Sequence, residues 1–239
     1  MVVMKKTHKN PKNSGFTLIE LLVVISIIGI LMGIIGPKVF DLLSGSKGTK
    51  TQAVFKSWVT QIYQYKQHYK YFPPFLLEEG EGVPANLSED EKHDAFIASL
   101  RGKSWNADDF TWESLSGDLL EQNRKSKEFH SFSEDEFGNI DTLNEANNGK
   151  YLSDAWGGRN IYIVVDQNGD GLIKLNDSAL SLIVEALKND YDPSDVDQAK
   201  DKLRTIRDQV GIFVIQDPTG ETDTENVFSW DIQKYLGEN

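Results

Sequence analysis

Gly15-Phe16-Thr17-Leu18-Ile19-Glu20-Leu21-Leu22-Val23-Val24-Ile25-Ser26-Ile27-Ile28-Gly29-Ile30-Leu31-Met32-Gly33-Ile34-Ile35 is the stretch on which the reading of this chain turns. From Phe16 onward it is apolar for about 20 residues, the length a helix needs to cross a hydrocarbon core. Residues 1–15 are polar, with Lys5, Lys6, Lys9 and Lys12 and no acid. Basic flanks stay cytoplasmic, so this asymmetry predicts a cytoplasmic amino terminus and an exported body. Lys38, Lys47 and Lys50 beyond the run soften the asymmetry without reversing it. An ordinary secretory signal would have a shorter apolar core and an A-x-A-like cleavage site, and Gly36-Pro37-Lys38 is not one.

Glu20 is the one formal charge in the run. A carboxylate inside a membrane helix is costly, less so near the helix end. Two readings follow: Glu20 reaches the interface, or it pairs with a cation inside an assembly. Gly29 and Gly33 form a G-x-x-x-G step that allows close helix approach. Pro37 cannot donate to the carbonyl of Gly33, which predicts a kink or loosening there. Beyond it, Val54, Trp58, Ile62, Tyr65 and Tyr69 recur at steps of three and four, widened by Phe55 and Val59. That stripe predicts an amphipathic helix whose aromatic face is plain core. Ser44-Gly-Ser-Lys-Gly48 weakens its propensity, and Pro73-Pro74 stops it near Tyr71-Phe72. The whole rod would be roughly 80 Å long at the helical rise per residue.

At residues 12–20 the chain resembles the class III signal of type IV pilins and type II secretion pseudopilins. The carrying residues are Lys12-Asn-Ser-Gly15-Phe16-Thr-Leu-Ile-Glu20, followed in register by the apolar run and by Pro37. The resemblance is close over residues 12–74 and loose beyond. It implies cleavage by a prepilin peptidase between Gly15 and Phe16, N-methylation of Phe16, and pairing of Glu20 with the Phe16 amine of a neighbouring subunit. It implies a pilin-like α+β fold: residues 1–15 a leader, 16–36 a transmembrane helix, 37–72 its amphipathic extension, and 73–239 a periplasmic head. Gly29, Gly33 and Pro37 would join Glu20 as assembly positions. The implied partners are other pilin or pseudopilin subunits, the prepilin peptidase, an inner-membrane assembly platform and membrane lipid. Asp154-Ala-Trp156-Gly157 is similar to the D-P-W-G element of pseudopilins, with Ala155 where proline is usual. That element, and the lack of a carboxy-terminal cysteine pair, favour a type II secretion pseudopilin over a surface pilin.

The head reads as α+β, with a small antiparallel sheet against the long helix. Strands are expected at 160–165, 211–215 and 227–230, and helices at 178–188 and from Pro193 to about Gln209. A helix from about Ser88 to Leu100 would open on the capping box Ser88-Glu-Asp-Glu91 and end at Gly102; another spans 113–127. Ser133-Glu-Asp-Glu136 reads as an exposed acidic loop. Asp166-Gln-Asn168-Gly-Asp170-Gly171 resembles a calcium loop, with Asp166, Asn168, Asp170, the carbonyl of Leu172 and Asp177 as oxygen donors. Asn168-Gly169 and Asp170-Gly171 are equally good hairpin dipeptides joining 161–165 to 172–175 without metal.

The chain has 239 residues, 37 acids against 25 Lys and Arg, and a net charge of -12. Such an acidic body argues against nucleic-acid binding, which needs cations for phosphates. With no cysteine, thiolate metal sites and Cys nucleophiles are excluded. His8, His68, His93 and His130 are scattered and sit in no catalytic motif. The reading is a filament subunit, not an enzyme. Its alternatives are a surface pilin and an anchored calcium-dependent binding protein.

Overall fold

The computed structural model describes residues 18–138, 149–216 and 225–237. Chain order is α1 Leu18–Tyr69, β1 Ala85–Asn86, α2 Asp90–Arg101, β2 Lys103–Asn106, β3 Thr111–Ser114, α3 Asp118–Gln122, β4 Ile161–Val165, β5 Ile173–Lys174, α4 Asp177–Asp190, α5 Pro193–Leu203, β6 Thr205–Ile206, β7 Val210–Val214, β8 Val227–Phe228 and α6 Gln233–Leu236. Single 3-10 turns lie at Pro74–Leu76 and Glu134–Glu136. The chain divides into two compact units, Met1–Leu43 and Ser44–Asn239.

In the first unit α1 exposes Leu18, Ile19, Leu21, Val23, Val24 and Ile27, apolar side chains on every side of the helix. Among the described residues no helix is long and apolar enough to cross a membrane. Of the span expected at 16–36, residues 18–36 are helical within α1, while Gly15 and Phe16 lie outside the described residues, as do the side-chain surroundings of Glu20, Gly29, Gly33 and Pro37. Helix runs through 44–48 despite the weak propensity of Ser44-Gly-Ser-Lys-Gly48.

The second unit is α+β. Its main sheet is antiparallel in the order β1-β4-β7-β8, with Ile163 opposite Ile212 at its centre. Alternation sends Ile161, Ile163, Val165, Val210, Ile212 and Val214 to one face. There they meet Phe55, Trp58, Ile62 and Tyr65 of α1, all fully buried, so the aromatic stripe is core as expected. Val164 and Phe213 point the other way, into Ile183 and Leu187 of α4 and Val196 and Leu203 of α5. A sheet covered on both faces reads as unbroken apolar runs, which is why 161–165 and 210–214 show no polar alternation. Gly211 lies opposite Val164. A Cβ there would stand 3.0 Å from the Trp230 ring and 3.2 Å from Val164, so glycine is required by close packing.

Several expectations are corrected. Residues 113–127 do not form one helix; β2 and β3 make a hairpin, and only Asp118–Gln122 is helical. The helix from Pro193 ends at Leu203, since 205–206 pairs with 173–174. That pairing also removes the hairpin between 161–165 and 172–175: β4 pairs with β1 and β7. The tetrapeptide Ser-Glu-Asp-Glu occurs twice, and its two copies behave oppositely to expectation. At 88–91 no capping box forms; α2 starts at Asp90, with Asn86 Oδ1 accepting from Ser88 N. It ends as expected at Gly102, in the left-handed region at φ 69°. At 133–136 the capping box does form, on one 3-10 turn.

Candidate functional site

Two loops, each holding a buried carboxylate, are tied to α1. The first comes from the second Ser-Glu-Asp-Glu copy. Glu136 is buried, and its Oε1 accepts from Trp58 Nε1 at 2.6 Å and lies 2.7 Å from His130 Nε2. Its Oε2 accepts from Ser133 N at 2.7 Å and from Ser133 Oγ at 3.1 Å. Burial pushes this carboxyl up, but His130, the Ser133 backbone and Trp58 together outweigh it and hold it below the ordinary value. The acidic loop expected to be solvated is therefore pinned into the core at this residue. Of the other acids near His130 in sequence, Glu128 binds Arg101 and Glu134 is exposed.

The second anchor is Asp154-Ala155-Trp156-Gly157. Asp154 is buried and its Oδ1 accepts from Trp156 N and Gly158 N, each at 2.8 Å. Gln216 Nε2 donates to its Oδ2. Ala155 N donates to Thr51 Oγ1 of α1 at 3.0 Å. Gly157 turns at φ 88°, and a Cβ on Gly158 would collide with the Asp154 carboxylate at 2.7 Å. Proline at 155 would lack the N–H that reaches Thr51, which accounts for alanine here. Burial raises the Asp154 carboxyl above its ordinary value, although its backbone donors and Gln216 oppose the shift.

Loop 166–177 satisfies its own oxygens. Asp166 Oδ1 accepts from Gly169 N at 2.8 Å and Oδ2 from Gly171 N at 2.7 Å. Asn168 Oδ1 accepts from Asp170 N, and Asp170 Oδ1 from Leu172 N. Lys174 Nζ sits on Asp170 Oδ2 at 2.5 Å, and Arg204 holds Asp177 at 2.8 Å at the start of α4. The first three side chains therefore share one turn, and Asp177 is drawn off to α5. Among the described residues no group of three or more His, Cys, Asp or Glu is placed to hold a metal ion. His93 is buried; its Nε2 accepts from Leu152 N at 3.1 Å, which puts the ring proton on Nδ1 facing Asp94.

Sequence reasoning missed Glu136 and the buried Asn123, and found no partner for His130. The S-x-x-E spacing at 133–136 was a usable signal for the first. Asn123 left none, because its partners Ala98 O, Ser99 O and Tyr69 OH are distant in sequence.

The amino-terminal part of α1 exposes apolar side chains, the second unit is an α+β body built on the rest of that helix, and the described residues hold no catalytic constellation. Residues 10–36 match the family model described as the prokaryotic N-terminal methylation motif. Over 57 residues the chain is 40% identical to "Type IV major pilin protein PilA" of Myxococcus xanthus (strain DK1622), a match covering 24% of this chain and 26% of that protein. The chain is a type IV pilin-like protein, distantly related to that pilin. Both matches are to pilin-type proteins and neither is to an enzyme. The match spans about a quarter of the relative's length, and no solved structure matches this chain.

Proposed function

We propose that this chain is a subunit of a type II secretion pseudopilus. The carrying observation is the methylation motif at 10–36, in register with an apolar helix whose Leu18, Ile19, Leu22 and Ile25 lie exposed. Such a surface needs lipid or neighbouring helices to cover it. Prepilin peptidase cuts between Gly15 and Phe16, and Phe16 is methylated. The helix 16–36 is held in the inner membrane with the head outside the cytoplasm. Glu20 then meets the Phe16 amine of the next subunit, removing the cost of two isolated charges in lipid. Gly29 and Gly33 let the helices approach closely, and Pro37 loosens the helix where the bundle leaves the membrane.

Support for the pseudopilin over the surface pilin is the Asp154-Ala-Trp-Gly element and the absence of cysteine. The relative named as a major pilin supports the surface-filament reading. Mass spectrometry of the membrane-extracted native protein tests the common step: the expected amino terminus is methylated Phe16, and an intact leader beside an active prepilin peptidase refutes it. Deleting the gene separates the two readings. Loss of an exported protein with surface filaments intact fits the pseudopilus; the reverse fits the pilin.

A further inference from the structure

An acidic chain would be expected to disperse its few cations among its acids. At one end of the head it does the opposite. Lys70 follows α1 directly, and the loop after α3 reads Asn123-Arg-Lys-Ser-Lys127. Lys70, Arg124, Lys125 and Lys127 are exposed, and none forms an ion pair with a described Asp or Glu. Lys70, Lys125 and Lys127 lie around His68, with Lys127 Nζ 3.3 Å from its Nδ1, and its ring is held below its ordinary value by desolvation first and then by Lys127, Lys125 and Lys70. Lys125 lies over Tyr69 and Lys127 over Phe129, at 5.9 and 5.1 Å from the ring centres.

The surface is also rigidly built. Asn123 is fully buried; its Nδ2 donates to Ala98 O, Ser99 O and Lys127 O, while Lys127 N and Tyr69 OH donate to its Oδ1. Lys125 N donates to Tyr69 OH. Three non-glycine residues with positive φ are found among the described residues, and two of them are Lys70 (72°) and Ser126 (47°). Lys70 takes the position after a helix where glycine is the usual residue. A side chain kept there against sterics is a sign that the side chain is wanted.

The opposite layer supplies the complement. Residues 190–197, Asp-Tyr-Asp-Pro-Ser-Asp-Val-Asp, run from the end of α4 into the first turn of α5 and put Asp192, Asp195 and Asp197 at the surface, Asp197 already paired with Lys188 at 2.7 Å. The basic loop packs with α1 and α2 on one face of the main sheet, and α4 and α5 cover the other. Two unlike patches on opposite layers cannot be satisfied by a twofold dimer. They suit a head-to-tail contact that repeats without closing, which is what a filament requires.

We propose that the basic surface formed by Lys70 and residues 124–127 seats the acidic corner at 190–197 of a second copy of this chain. The proposal rests on the filament reading and names a contact between heads within it. The test uses the full-length protein in its native membrane, as an equal mixture of 14N and 15N copies, coupled with a zero-length carbodiimide that joins lysines to carboxylates. Mixed-isotope links from Lys125 or Lys127 to Asp192, Asp195 or Asp197 are expected. Replacing Lys125→Glu with Lys127→Glu lowers mixed-isotope product by about tenfold, and adding Asp192→Lys with Asp195→Lys, which supplies the amines from the other side, restores it, since like-charge juxtaposition disfavours a contact and the reversed pair removes it. Lys200→Glu with Lys202→Glu, an equal charge change at exposed positions of α5, leaves it unchanged. Mixed links that bypass the basic surface, or join it to other carboxylates, overturn the assigned contact and leave the filament intact. No mixed product of any kind overturns the filament reading and the contact together. Wild-type binding to a DNA duplex or to anionic vesicles that the lysine variant loses, with copy-to-copy links unaltered, overturns it in favour of a polyanion.

Discussion

Replacing Glu136 by Gln should cost far more than its single-atom difference suggests. Four hydrogen-bonding groups surround the carboxylate: the Trp58 indole, the His130 imidazole, and the backbone and hydroxyl of Ser133. Glutamine offers one acceptor oxygen and turns an amide toward the other donors. A hydrogen bond to a charged group contributes about 1.5–3 kcal/mol, and leaving a buried donor without its partner costs about 1–3 kcal/mol. Some relaxation is expected because the His130 side chain is 13% exposed, so the loss should be about 2–4 kcal/mol. For a body of this size that lowers Tm by roughly 5–15 °C. The assay is thermal unfolding of the full chain in detergent, followed by Trp fluorescence. Glu128→Gln, which removes only an exposed pair with Arg101, should move stability by less than about 1 kcal/mol. The pH dependence has a defined sign. Because the folded Glu136 carboxyl lies below its unfolded value, its contribution is present above about pH 4.3 and is lost as pH falls through the folded value. The gap between wild type and Glu136→Gln should therefore be widest near neutrality and shrink on acidification. A Tm change within 1–2 °C at pH 7 would refute the account of Glu136 as the pin of this loop.

Other outcomes follow from the same geometry. Asp154→Asn should be tolerated to within about 1 kcal/mol near neutral pH, since an amide oxygen still accepts from Trp156 N and Gly158 N and the buried charge is gone. Raised above its unfolded value, the Asp154 carboxyl opposes folding increasingly as pH rises through that window, so the variant should gain on wild type from acid to neutral; the opposite trend in paired melts would sink this. Gly211→Ala should destabilise by about 1–3 kcal/mol through overpacking against Trp230 and Val164, read by urea unfolding. Calcium or chelator should leave Tm unchanged, because loop 166–171 is closed by its own N–H donors and by Lys174. A calcium-dependent rise of several degrees, abolished in Asp166→Ala, would instead assign Asp166, Asn168 and Asp170 as ligands.

What was legible in the sequence was local or periodic. The stripe on α1, the strands at 161–165 and 210–214, and the αL stop at Gly102 each follow from a rule that spans a few residues. What was not legible depended on partners far along the chain. The two Ser-Glu-Asp-Glu copies make this concrete. The first is followed by Lys92-His-Asp-Ala-Phe96, which has helical periodicity, so it became part of α2. The second is followed by Phe137, which bridges to Leu152, so the turn stops after one round and Glu136 swings inward to Trp58. No window of the sequence contains Trp58 and Glu136 together. Similarly, Asp166-Gln-Asn-Gly reads as a hairpin until Ile206 turns out to be the partner of Ile173.

The two buried carboxylates share a role and differ in charge chemistry, and the difference follows from their donors. Glu136 meets a histidine and an indole as well as a backbone amide, enough to keep it ionised under burial. Asp154 meets amides only, and burial wins. Both nevertheless do the same thing to the fold: they carry a loop with few regular elements back to α1, at Trp58 in one case and next to Thr51 in the other. The aromatic face of α1 is buried under these irregular loops, and a loop without a buried tether would expose that face. The acidity that makes this head look featureless as a sequence is thus partly structural, with the tethers drawn from the same residue type as the solvated surface.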